Sequence, residues 1–588
     1  MAPQRKRGAN DSEEVCKRIK EDIKDAKVVA DQSNDTAEQQ KEPATVKKSE
    51  DDNKPMESNN NNNNNNGAES LSNGSVKQDS GDTTAAEQKD EAPGSQVNGD
   101  AKKADAPVKS EVVSQPEPEK QTSSKESESK SDVNGSEKAK PAAEPKTEEK
   151  KKEDVPLEEA TSGVLLICGG ANWDMTGRKE LPKAAKKPVE VDPAARNLWG
   201  PHKVVLDGKT LRVKGVFSGC NACHSVIVTA DGETMTFGRN DKGQLGIGPD
   251  LTTKVTPVTV DALDGIDIVS AACGRSHTLF LSSDGIVYAC GDNKMGQCGT
   301  NQQSVQQITT PQRIAFRENK KIVKIACGAE FSMIVDEDGR LYSFGHPENG
   351  QLGHNSEAKY FTSGNKYAFH CEYAPRRIVT FIEKSREGHV SPAEDVRIVD
   401  VACGTSHTLA VDTKHRCFSW GFAGYHRLGH SETKNELVPR SIRLFDVPPS
   451  TGRGCVRVFA GASFSMALDV NGLLYFWGQN KSSGEATMYP KNVQDLCGWR
   501  ISHVACANRS IFVVAEDTCI SWGPSPTYGE LGYGDGKSKS STTPNEVKTL
   551  EGTHIINVTC GFGHTLLIAR DRAPEEAAHI EKNFKNWP

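Results

Sequence analysis

A segment that repeats seven times along the chain restricts its fold more than any other feature. The copies begin at Gly219, Gly274, Gly328, Gly404, Gly461, Ala507 and Gly561, with spacings of 46 to 57 residues and one spacing of 76 residues. A typical copy has an apolar run, Gly-x-x-His-Ser/Thr, an alternating strand, a turn such as Asp-Gly, and a second strand ending in aromatic-Gly. Repeats of this length built from short strands are typical of β-propeller blades.

The two ends of the repeat region indicate how the propeller closes. The last copy, CGFGHTLLIARD, stops before its second strand. A matching strand stands at the start of the region, in GVLLICGGANWD (163–174), where Cys168-Gly169 take the place of Trp420-Gly421. We therefore predict an all-β fold, a seven-bladed β-propeller over residues 163–570. Its N-terminal strand closes the last blade, so that no sheet edge stays open.

Residues 1–160 differ sharply in composition from the repeat region. They contain no Phe, Tyr or Trp and carry 26 Lys and Arg against 36 Asp and Glu, a net charge of −10. Such a segment buries too little apolar surface to offset the entropy lost on ordering. We predict a long disordered, acidic, low-complexity tail over 1–160 and a short charged C-terminal tail over 571–588.

Two basic clusters near the N-terminus resemble a bipartite nuclear import signal. An exposed chain can present both clusters to two acidic pockets of a receptor. The alternative is a chance grouping within a lysine-rich tail. The predicted signal consists of Arg5, Lys6, Arg7, Lys17, Arg18 and Lys20.

The stretch ACGRSHTL (271–278) places a cysteine, a serine and a histidine close together, as a metal site or a nucleophile with its base would. The repeat provides an internal test of that idea, because the histidine position also holds Phe331 and Phe464. Phenylalanine can neither ligate a metal nor accept a proton. We predict that this position packs the blade and that a histidine there makes one buried hydrogen bond.

The other candidate chemical motifs also favour structural roles. Fifteen of the sixteen cysteines follow residue 160, mostly singly and in apolar contexts, which indicates buried, reduced thiols. Cys220 and Cys223 form a C-x-x-C without a second pair for zinc or a following helix for redox chemistry. The Gly-x4-Gly-Gln-Leu-Gly stretches lack the Lys-Ser/Thr of a phosphate loop and are predicted turns. We expect no catalytic residues, no cofactor, no metal and no membrane insertion.

The repeat as a whole resembles the regulator-of-chromosome-condensation repeat family over about residues 163–570. Stretches outside the shared repeat, such as GGANWDMTGRKE, VQDLCGWRI and ISWGPSPTYGELGYGD, resemble one branch of that family. The founding member is a guanine-nucleotide exchange factor for a small GTPase of nuclear transport. The branch is associated with small GTPases of the Rac and Ral kind, with mitotic chromosomes and with the spindle.

The resemblance implies a function without an acid–base mechanism. The chain is expected to be a mitotic, chromosome-associated regulator of Rac-like or Ral-like GTPases, acting by nucleotide exchange or by binding the nucleotide-free form. The alternative is a non-catalytic chromosome and spindle scaffold. Expected partners are a nucleotide-free small GTPase, centromeric chromatin and spindle microtubules, bound by a monomer. Expected locations are the nucleus, the centromere and chromosome, the spindle or midzone during mitosis, and partly the cytoplasm.

The 76-residue spacing contains the predicted partner-binding loop. Two apolar stretches, 378–382 and 396–401, are predicted strands that hold a polar loop between them. The alternative is an ordinary surface loop, because lengthening a loop costs little stability. The loop consists of Glu383, Lys384, Ser385, Arg386, Glu387, Gly388, His389, Val390, Ser391, Pro392, Ala393, Glu394 and Asp395.

An aromatic segment precedes this loop and is predicted either to pack on the rim of the propeller or to meet a partner, with or without the loop. A cluster of aromatic side chains is rarely left in contact with water. The aromatic residues are Tyr360, Phe361, Tyr367, Phe369 and Tyr373.

The import signal yields a first testable prediction. Replacing Arg5, Lys6, Lys17, Arg18 and Lys20 with alanine should weaken or abolish nuclear accumulation, because the receptor would lose both positive clusters. Fluorescence microscopy of tagged parent and variant chains in interphase cells would measure the effect. Unchanged accumulation would show that another segment or a partner directs import.

Overall fold

Short, mostly antiparallel β-strands make up nearly all of the regular secondary structure in the described residues, as the alternating apolar pattern predicts. The computed structural model describes residues 162–178, 192–364, 366–446, 451, 453–481, 484–524 and 528–588, which lie in the compact unit Ala142–Pro588. The predicted tail over 1–160 and the import signal lie outside the described residues. The expectation of an all-β, propeller-like fold is confirmed.

The first seven strands belong to one large sheet, in the order β3-β2-β1-β4-β5-β6-β7. β1 and β4 pair only through Gly163 with Val213 and Val164 with Arg212, so this contact joins two groups of strands within the sheet. The strands are β1 (Gly163–Gly170), β2 (Asn197–Leu206), β3 (Lys209–Thr210), β4 (Arg212–Phe217), β5 (His224–Thr229), β6 (Thr234–Gly238) and β7 (Lys254–Thr259).

Five further sheets each contain four antiparallel strands of one repeat. The first consists of β8 (Ile268–Cys273), β9 (His277–Ser282), β10 (Val287–Asp292) and β11 (Gln307–Arg313). The second consists of β12 (Ile322–Cys327), β13 (Phe331–Asp336), β14 (Leu341–Gly345) and β17 (Glu372–Arg377). Between β14 and β17, the strands β15 (Lys359–Thr362) and β16 (Lys366–Phe369) form a separate hairpin. The third consists of β20 (Ile398–Cys403), β21 (His407–Asp412), β22 (Cys417–Gly421) and β23 (Glu436–Ser441), with β18 (Ile382–Lys384) and β19 (Val390–Pro392) added at its outer edge.

The last two of these sheets follow the same order along the chain. The fourth sheet consists of β24 (Cys455–Ala460), β25 (Phe464–Asp469), β26 (Leu474–Gly478) and β27 (Thr487–Asn492). The fifth consists of β28 (Ile501–Cys506), β29 (Ile511–Ala515), β30 (Thr518–Gly523) and β31 (Ser541–Glu546). Short 3-10 turns occur at Asp261–Leu263, Gly424–His426, Gln494–Leu496 and Lys548–Leu550.

The two ends of the repeat region meet in the large sheet. Strands β32 (Ile555–Cys560) and β33 (His564–Ala569) lie at the end of the last repeat. β1 pairs antiparallel with β33, from Val164 opposite Ala569 to Gly169 opposite His564, and its other edge pairs with β2. Leu165, Leu166 and Ile167 of β1 have no solvent exposure. The first strand therefore lies between β33 and β2, as the truncated last repeat predicts.

The segment after the last repeat is ordered, in contrast to the expected charged tail over 571–588. It forms helix α1 (Pro574–Asn583) and strand β34 (Lys585–Trp587), and β34 pairs in parallel with β2. Trp587 is fully buried and its indole N–H donates to the carbonyl of Ala194 at 2.9 Å. Ile580 and Phe584 are also buried. The expectation weighed only the charges of this segment, whereas three apolar side chains determine where it lies.

Apolar side chains from neighbouring sheets form the core between them. Between the sheet of β12–β14 and the sheet of β20–β23, for example, Phe331, Met333, Leu352, Phe418 and Trp420 pack together and are almost completely buried. Because each sheet buries both faces in this way, its strands read as continuous apolar runs in their inner positions.

The antiparallel order defines two faces of the molecule. One face carries the turns between the third and fourth strands of each repeat, at 238–246, 291–299, 345–353 and 421–429; we call it the Gly-turn face. The opposite face carries the turns between the second and third strands, such as 283–286 and 413–416; we call it the hairpin-turn face. The connections from one repeat to the next also lie on the hairpin-turn face.

Closure by β1 leads to the second prediction. Limited proteolysis should leave a core that begins near residue 160, and a fragment 160–588 should melt as the parent does. A matched fragment 175–588 lacks β1, so it should melt at least about 10 °C lower or aggregate, because it exposes the edges of β33 and β2 and the core residues that β1 covers. Circular dichroism melts would compare the two fragments. Equal melting temperatures would contradict the closure.

Candidate partner-binding site

The repeated histidine position shapes the interior of each repeat. The ring of His277 packs on Gly274, and a Cβ at Gly274 would overlap that ring. Phe331 packs in the same way on Gly328. The position therefore requires a flat ring above a glycine, and both His and Phe provide one.

The histidines of this position also connect neighbouring repeats. The Nε2 atom of His277 lies 3.0 Å from the hydroxyl of Ser332 in the next repeat. The Ser332 hydroxyl in turn donates to the carbonyl of Gln297 at 2.8 Å. The Ser332 hydroxyl uses its only proton in the bond to Gln297. Nε2 of His277 must therefore carry a proton of its own and donate it to the Ser332 oxygen. The equivalent pairs are His224 with Thr278 at 2.8 Å, His407 with Ser465 at 2.9 Å and His564 with Ser225 at 2.7 Å.

These histidines are held neutral by burial. Desolvation lowers the pKa of His224, His277 and His564 to about 3 and that of His407 well below its usual value. Their Nδ1 atoms are buried and have no hydrogen-bond partner among the described residues. The structure thus agrees with the prediction of a packing position with one buried hydrogen bond.

The repeated cysteines line a cavity of about 240 Å³ on the axis of the molecule. Burial raises the pKa of the thiols, to about 12 for Cys327 and Cys560. The cavity-lining cysteines are Cys220, Cys273, Cys327, Cys403, Cys506 and Cys560. Within the described residues, no group of three or more Cys, His, Asp or Glu side chains is arranged to hold a metal ion.

The C-x-x-C stretch closes one end of this cavity. The first repeat has two additional residues before its histidine, and these residues reach across the axis. The Asn221 side-chain oxygen accepts a hydrogen bond at 2.8 Å from the hydroxyl of Thr405, which belongs to a distant repeat. Cys220 and Cys223 are both buried. The insertion therefore joins the first repeat to a distant repeat beside the cavity, and no sequence signal indicated that role.

The Gly-Gln-Leu-Gly stretches form self-supported turns, as predicted. The side-chain oxygen of Gln244 accepts a hydrogen bond at 2.8 Å from the backbone N–H of Lys242, and Gln297 and Gln351 repeat this contact in the next two turns. The glutamine side chain thus fills the space inside the turn that a phosphate would need.

The predicted partner-binding loop is a β-hairpin rather than an irregular loop. β18 and β19 pair through Ile382 with Pro392, Glu383 with Ser391 and Lys384 with Val390. β18 also pairs in parallel with β23, where Ile382 lies opposite Arg440. The hairpin therefore continues the sheet of β20–β23 outward to its rim.

A buried arginine fixes the base of this hairpin. Arg416 lies in the turn after β21, and its guanidinium contacts the carboxylates of Asp412 at 2.7 Å and Glu383 at 2.8 Å. It also donates to the carbonyl of Glu394 at 2.8 Å. Lys384 pairs with Glu432 at 3.0 Å. Glu383, Lys384 and Glu394 are therefore anchors, and sequence reasoning missed Arg416 because it lies outside the loop.

The exposed part of the hairpin is its tip. Residues 385–392 are all exposed. The backbone N–H of Ser385 donates to the carbonyl of His389 at 2.9 Å, and Gly388 has a φ of +88° that favours glycine. The tip presents Arg386, Glu387 and His389 on an ordered turn.

One of the two predicted flanking strands is wrong. Residues 378–381 contain no strand, and Ile378 and Phe381 are instead buried in the core between two sheets. Their apolar character comes from this packing, because a connection between repeats can bury side chains without pairing its backbone. The other predicted strand is present as β20.

The aromatic segment lies on the other face of the molecule. Phe369 packs edge-on against His346 at 4.9 Å, and the Tyr373 hydroxyl donates to the carbonyl of Lys294 at 2.9 Å. His346 and Lys294 belong to turns of the Gly-turn face, whereas Arg416 holds the β18–β19 hairpin at the hairpin-turn face. The two segments therefore do not form one surface.

The β15–β16 hairpin divides the five aromatic residues of this segment into two groups. Phe369 and Tyr373 pack against the turns beneath them. Phe361 is 71% exposed and Tyr367 51% exposed, and their rings contact each other at 4.5 Å. Tyr360 stacks on His370 at 4.2 Å. Packing on the rim, one of the two predicted alternatives, therefore holds for Phe369 and Tyr373, and the exposed rings leave the other alternative, contact with a partner, as a prediction.

No helix in the described ranges is both long and apolar enough to span a bilayer.

Comparison with known proteins places these features in a family. The model of the RCC1-like domain matches residues 164–567. The chain is 50% identical to the human protein RCC2 over 435 residues, which cover 73% of this chain and 81% of that protein. It is 49% identical to a Xenopus laevis RCC2 homologue over 438 residues, covering 74% of this chain and 83% of that protein. The crystal structure of Prp20p from Saccharomyces cerevisiae has a TM-score of 0.52 at 18% identity and covers 71% of this chain and 94% of its own.

The third prediction concerns the repeat histidines. His277→Phe should lower the free energy of unfolding at pH 7.5 by about 1 kcal/mol, the value of one hydrogen bond. The loss is small because Phe331 and Phe464 already occupy this position and the Ser332 hydroxyl keeps its bond to Gln297. Urea denaturation of parent and variant would measure the difference.

The variant His277→Phe should also change how the free energy of unfolding depends on pH. An unfolded chain protonates this imidazole near pH 6.5, but the folded chain does so only near pH 3. Between these values the unfolded state binds more protons, so acid weakens the parent by up to about 1.4 kcal/mol per pH unit for each such histidine. Phenylalanine does not titrate, so the variant should lose less stability than the parent between pH 7.5 and 4.5. A larger loss, or loss of partner binding, would contradict a purely structural role.

Proposed function

Because the chain belongs to the RCC1-like domain family, we propose that it is a chromosome-associated regulator that binds small GTPases. Prp20p has binding properties toward Gsp1p and histones. The likeness to Prp20p is one of fold, so it supports the mode of action and not the identity of the partner. The proposed partner is a GTPase of the Rac or Ral kind in its nucleotide-free form.

The ordered tip of the β18–β19 hairpin is the observation that carries this proposal. The tip is additional to the repeat, exposed, and anchored through Arg416 and Lys384. An anchored segment loses little conformational entropy on binding. Its mixture of charges, from Arg386, Glu387 and His389, suits the polar surface of a GTPase.

The proposed mechanism requires no acid–base residues. Nucleotide exchange follows when a protein binds the nucleotide-free GTPase more tightly than the loaded form. A shaped surface with a projecting element is sufficient for that difference. The second candidate function is a scaffold that binds GTPases, centromeric chromatin or microtubules without exchange. It is favoured by the presence of two separate protruding hairpins on two faces.

The number of blades is part of the proposal. In the large sheet, β4–β7 form one set of four strands, and β32, β33, β1 and β2 form another. Only the short pairing of β1 with β4 joins the two sets. Counted with the five other sheets, they support seven blades over 163–570. An experimental structure with six or eight radial sheets would contradict this count.

The location and the state of assembly are also proposals. We propose a nuclear, monomeric protein that joins chromosomes, the centromere and the spindle or midzone during division, with a cytoplasmic fraction. Live imaging of a tagged chain through mitosis would test the location, and a protein confined to the cytoplasm at all stages would contradict it. Light scattering would test the monomer.

The fourth prediction tests the hairpin tip. Replacing residues 386–388 by Asn-Gly keeps the pairing of Lys384 with Val390 and the anchors of the base. The Ser385 N–H donates to the carbonyl of His389, and a two-residue turn fits between the members of such a hydrogen-bonded pair. The variant should melt as the parent does. Its affinity for a nucleotide-free Rac or Ral protein should fall by about tenfold or more if the tip carries binding energy. Biolayer interferometry would measure both affinities.

Two controls accompany this experiment. The charge-swapped variant Arg386→Glu/Glu387→Lys keeps the tip length and should also weaken binding. Release of fluorescent GDP then separates the two candidate functions, because an exchange factor accelerates release and a scaffold does not. Parental affinity in a stably folded Asn-Gly variant would show that the partner binds another surface.

A further inference from the structure

The turn 421–429 departs from the other closing turns at three successive positions. The equivalent turns contain Lys242-Gly243-Gln244 or similar residues, and their central glycines have φ values of +77° to +81°. Here Tyr425, His426 and Arg427 stand instead, and Tyr425 and His426 have φ values of 60° and 57°. Left-handed backbone is unfavourable for residues with a Cβ and tends to be retained at functional sites. The backbone path of this turn therefore does not explain the choice of these residues.

Arg427 replaces the glutamine that fills the other turns, and it makes different contacts. Its Nε donates to the carbonyl of Gly424 at 2.8 Å, and its Nη1 donates to the carbonyl of Ala462 in the next repeat at 2.9 Å. The guanidinium lies beside the rings of Phe422 at 4.8 Å and Tyr425 at 5.6 Å. These contacts hold the arginine in one orientation.

The charge of Arg427 has no counterion in the described part of the chain. The residue is only 4% exposed, and no described carboxylate forms an ion pair with it. Its Nη2 makes no hydrogen bond to the described residues and is not sealed from solvent, so a partner can reach it. Burial without a counterion lowers its pKa to about 10. A buried guanidinium normally pairs with an acid, because an uncompensated buried charge is costly.

The surroundings of Arg427 are those of a protein-binding surface. The Nδ1 atom of His426 is also buried without a partner among the described residues. Tyr425 is 57% exposed, and Met488 and Tyr489 on the adjacent β27 are 44% and 53% exposed. The 3-10 turn Gly424–His426 packs against β27. Tyr, Met and Arg are the residue types that are enriched where partners bind.

We propose that the turn 421–429, together with Met488, binds an acidic and apolar segment of a partner protein on the Gly-turn face. A carboxylate of the partner pairs with Nη2 of Arg427, and an adjacent apolar side chain packs on Tyr425 and Met488. A carboxylate fits better than a phosphate, because a single free guanidinium nitrogen matches one negative charge. This site is distinct from the β18–β19 hairpin, so it does not depend on the proposed GTPase contact.

The sequence itself supplies the test variant. Tyr425→Lys/His426→Gly/Arg427→Gln gives the turn the residues found at 242–244. The backbone carbonyl of residue 427, which accepts hydrogen bonds from Ser465 and Trp477, is retained. The variant should therefore melt at the same temperature as the parent or higher, since glycine relieves the left-handed conformation. Asn349→Ala, at the position equivalent to Tyr425 in the preceding turn, is the matched control.

The probe is a fluorescein-labelled peptide, Gly-Leu-Glu-Phe-Glu-Leu-Gly, compared with the same peptide carrying Gln for both Glu. The parent and Asn349→Ala should bind the acidic peptide saturably in fluorescence anisotropy and bind the neutral peptide about tenfold more weakly. The turn variant should lose about tenfold or more in affinity for the acidic peptide.

Three results would overturn the proposal. One is no saturable binding of the acidic peptide to the parent. Another is equal binding to the parent and to a stably folded turn variant. The third is stronger competition by inorganic phosphate than by acetate, which would identify a phosphate site instead. A turn variant that melts lower while the parent fails to bind would assign Arg427 a structural role only.

Discussion

The pairing of β1 with β33 on one edge and β2 on the other is the contact on which the rest of the structure depends. It joins the first described strand to the last repeat, so the stacked sheets have no free end. Without it, β33 and β2 would expose unpaired backbone groups, and the neighbouring sheets would lose apolar contacts on one side. The C-terminal strand β34 pairs in parallel with β2, and its residue Trp587 is fully buried. Both ends of the repeat region are thus fixed in the same sheet.

The interior repeats one pattern from sheet to sheet, and its repeated histidines are neutral. A flat ring above a glycine recurs in most repeats, and where the ring is a histidine its Nε2 atom hydrogen-bonds to a hydroxyl group of the next repeat. Desolvation holds the imidazoles neutral and raises the pKa values of the thiols around the axis. These shifts keep the repeated histidines uncharged and the axial thiols protonated near neutral pH. The features that the repeat does not require lie on the surface.

Three surface features fall outside the requirements of the repeat, and they lie on two faces. The β18–β19 hairpin extends a sheet at the hairpin-turn face and is held by Arg416. The β15–β16 hairpin and the turn 421–429 lie on the Gly-turn face. Tyr425 and His426 both adopt a left-handed backbone in the turn 421–429, whereas glycines hold the left-handed central position in the turns 238–246, 291–299 and 345–353. Because these features lie on two faces, the contacts proposed for the hairpin tip and for the turn 421–429 do not overlap.

Much of the fold follows from the sequence because the repeat compares the chain with itself. Phe331 in the place of His277 is enough to show that the position packs a ring, and the incomplete last repeat is enough to indicate that 163–170 supplies its missing strand. Period-two alternation and the turn residues give most strands of the repeats. These inferences rest on local geometry, which neighbouring residues in the sequence determine.

The sites depended on contacts between residues far apart in the sequence, and only the tertiary structure decided them. The loop 383–395 is a hairpin with an anchored base because Arg416 and Glu432 lie beside it. The aromatic segment does not join that hairpin because the antiparallel strands place the two at opposite ends. Arg427 is read from the sequence as an ordinary turn residue, and it becomes a candidate site only because the folded chain buries it without a counterion. Alternation and turns are local properties, whereas burial and charge pairing depend on which distant residues meet.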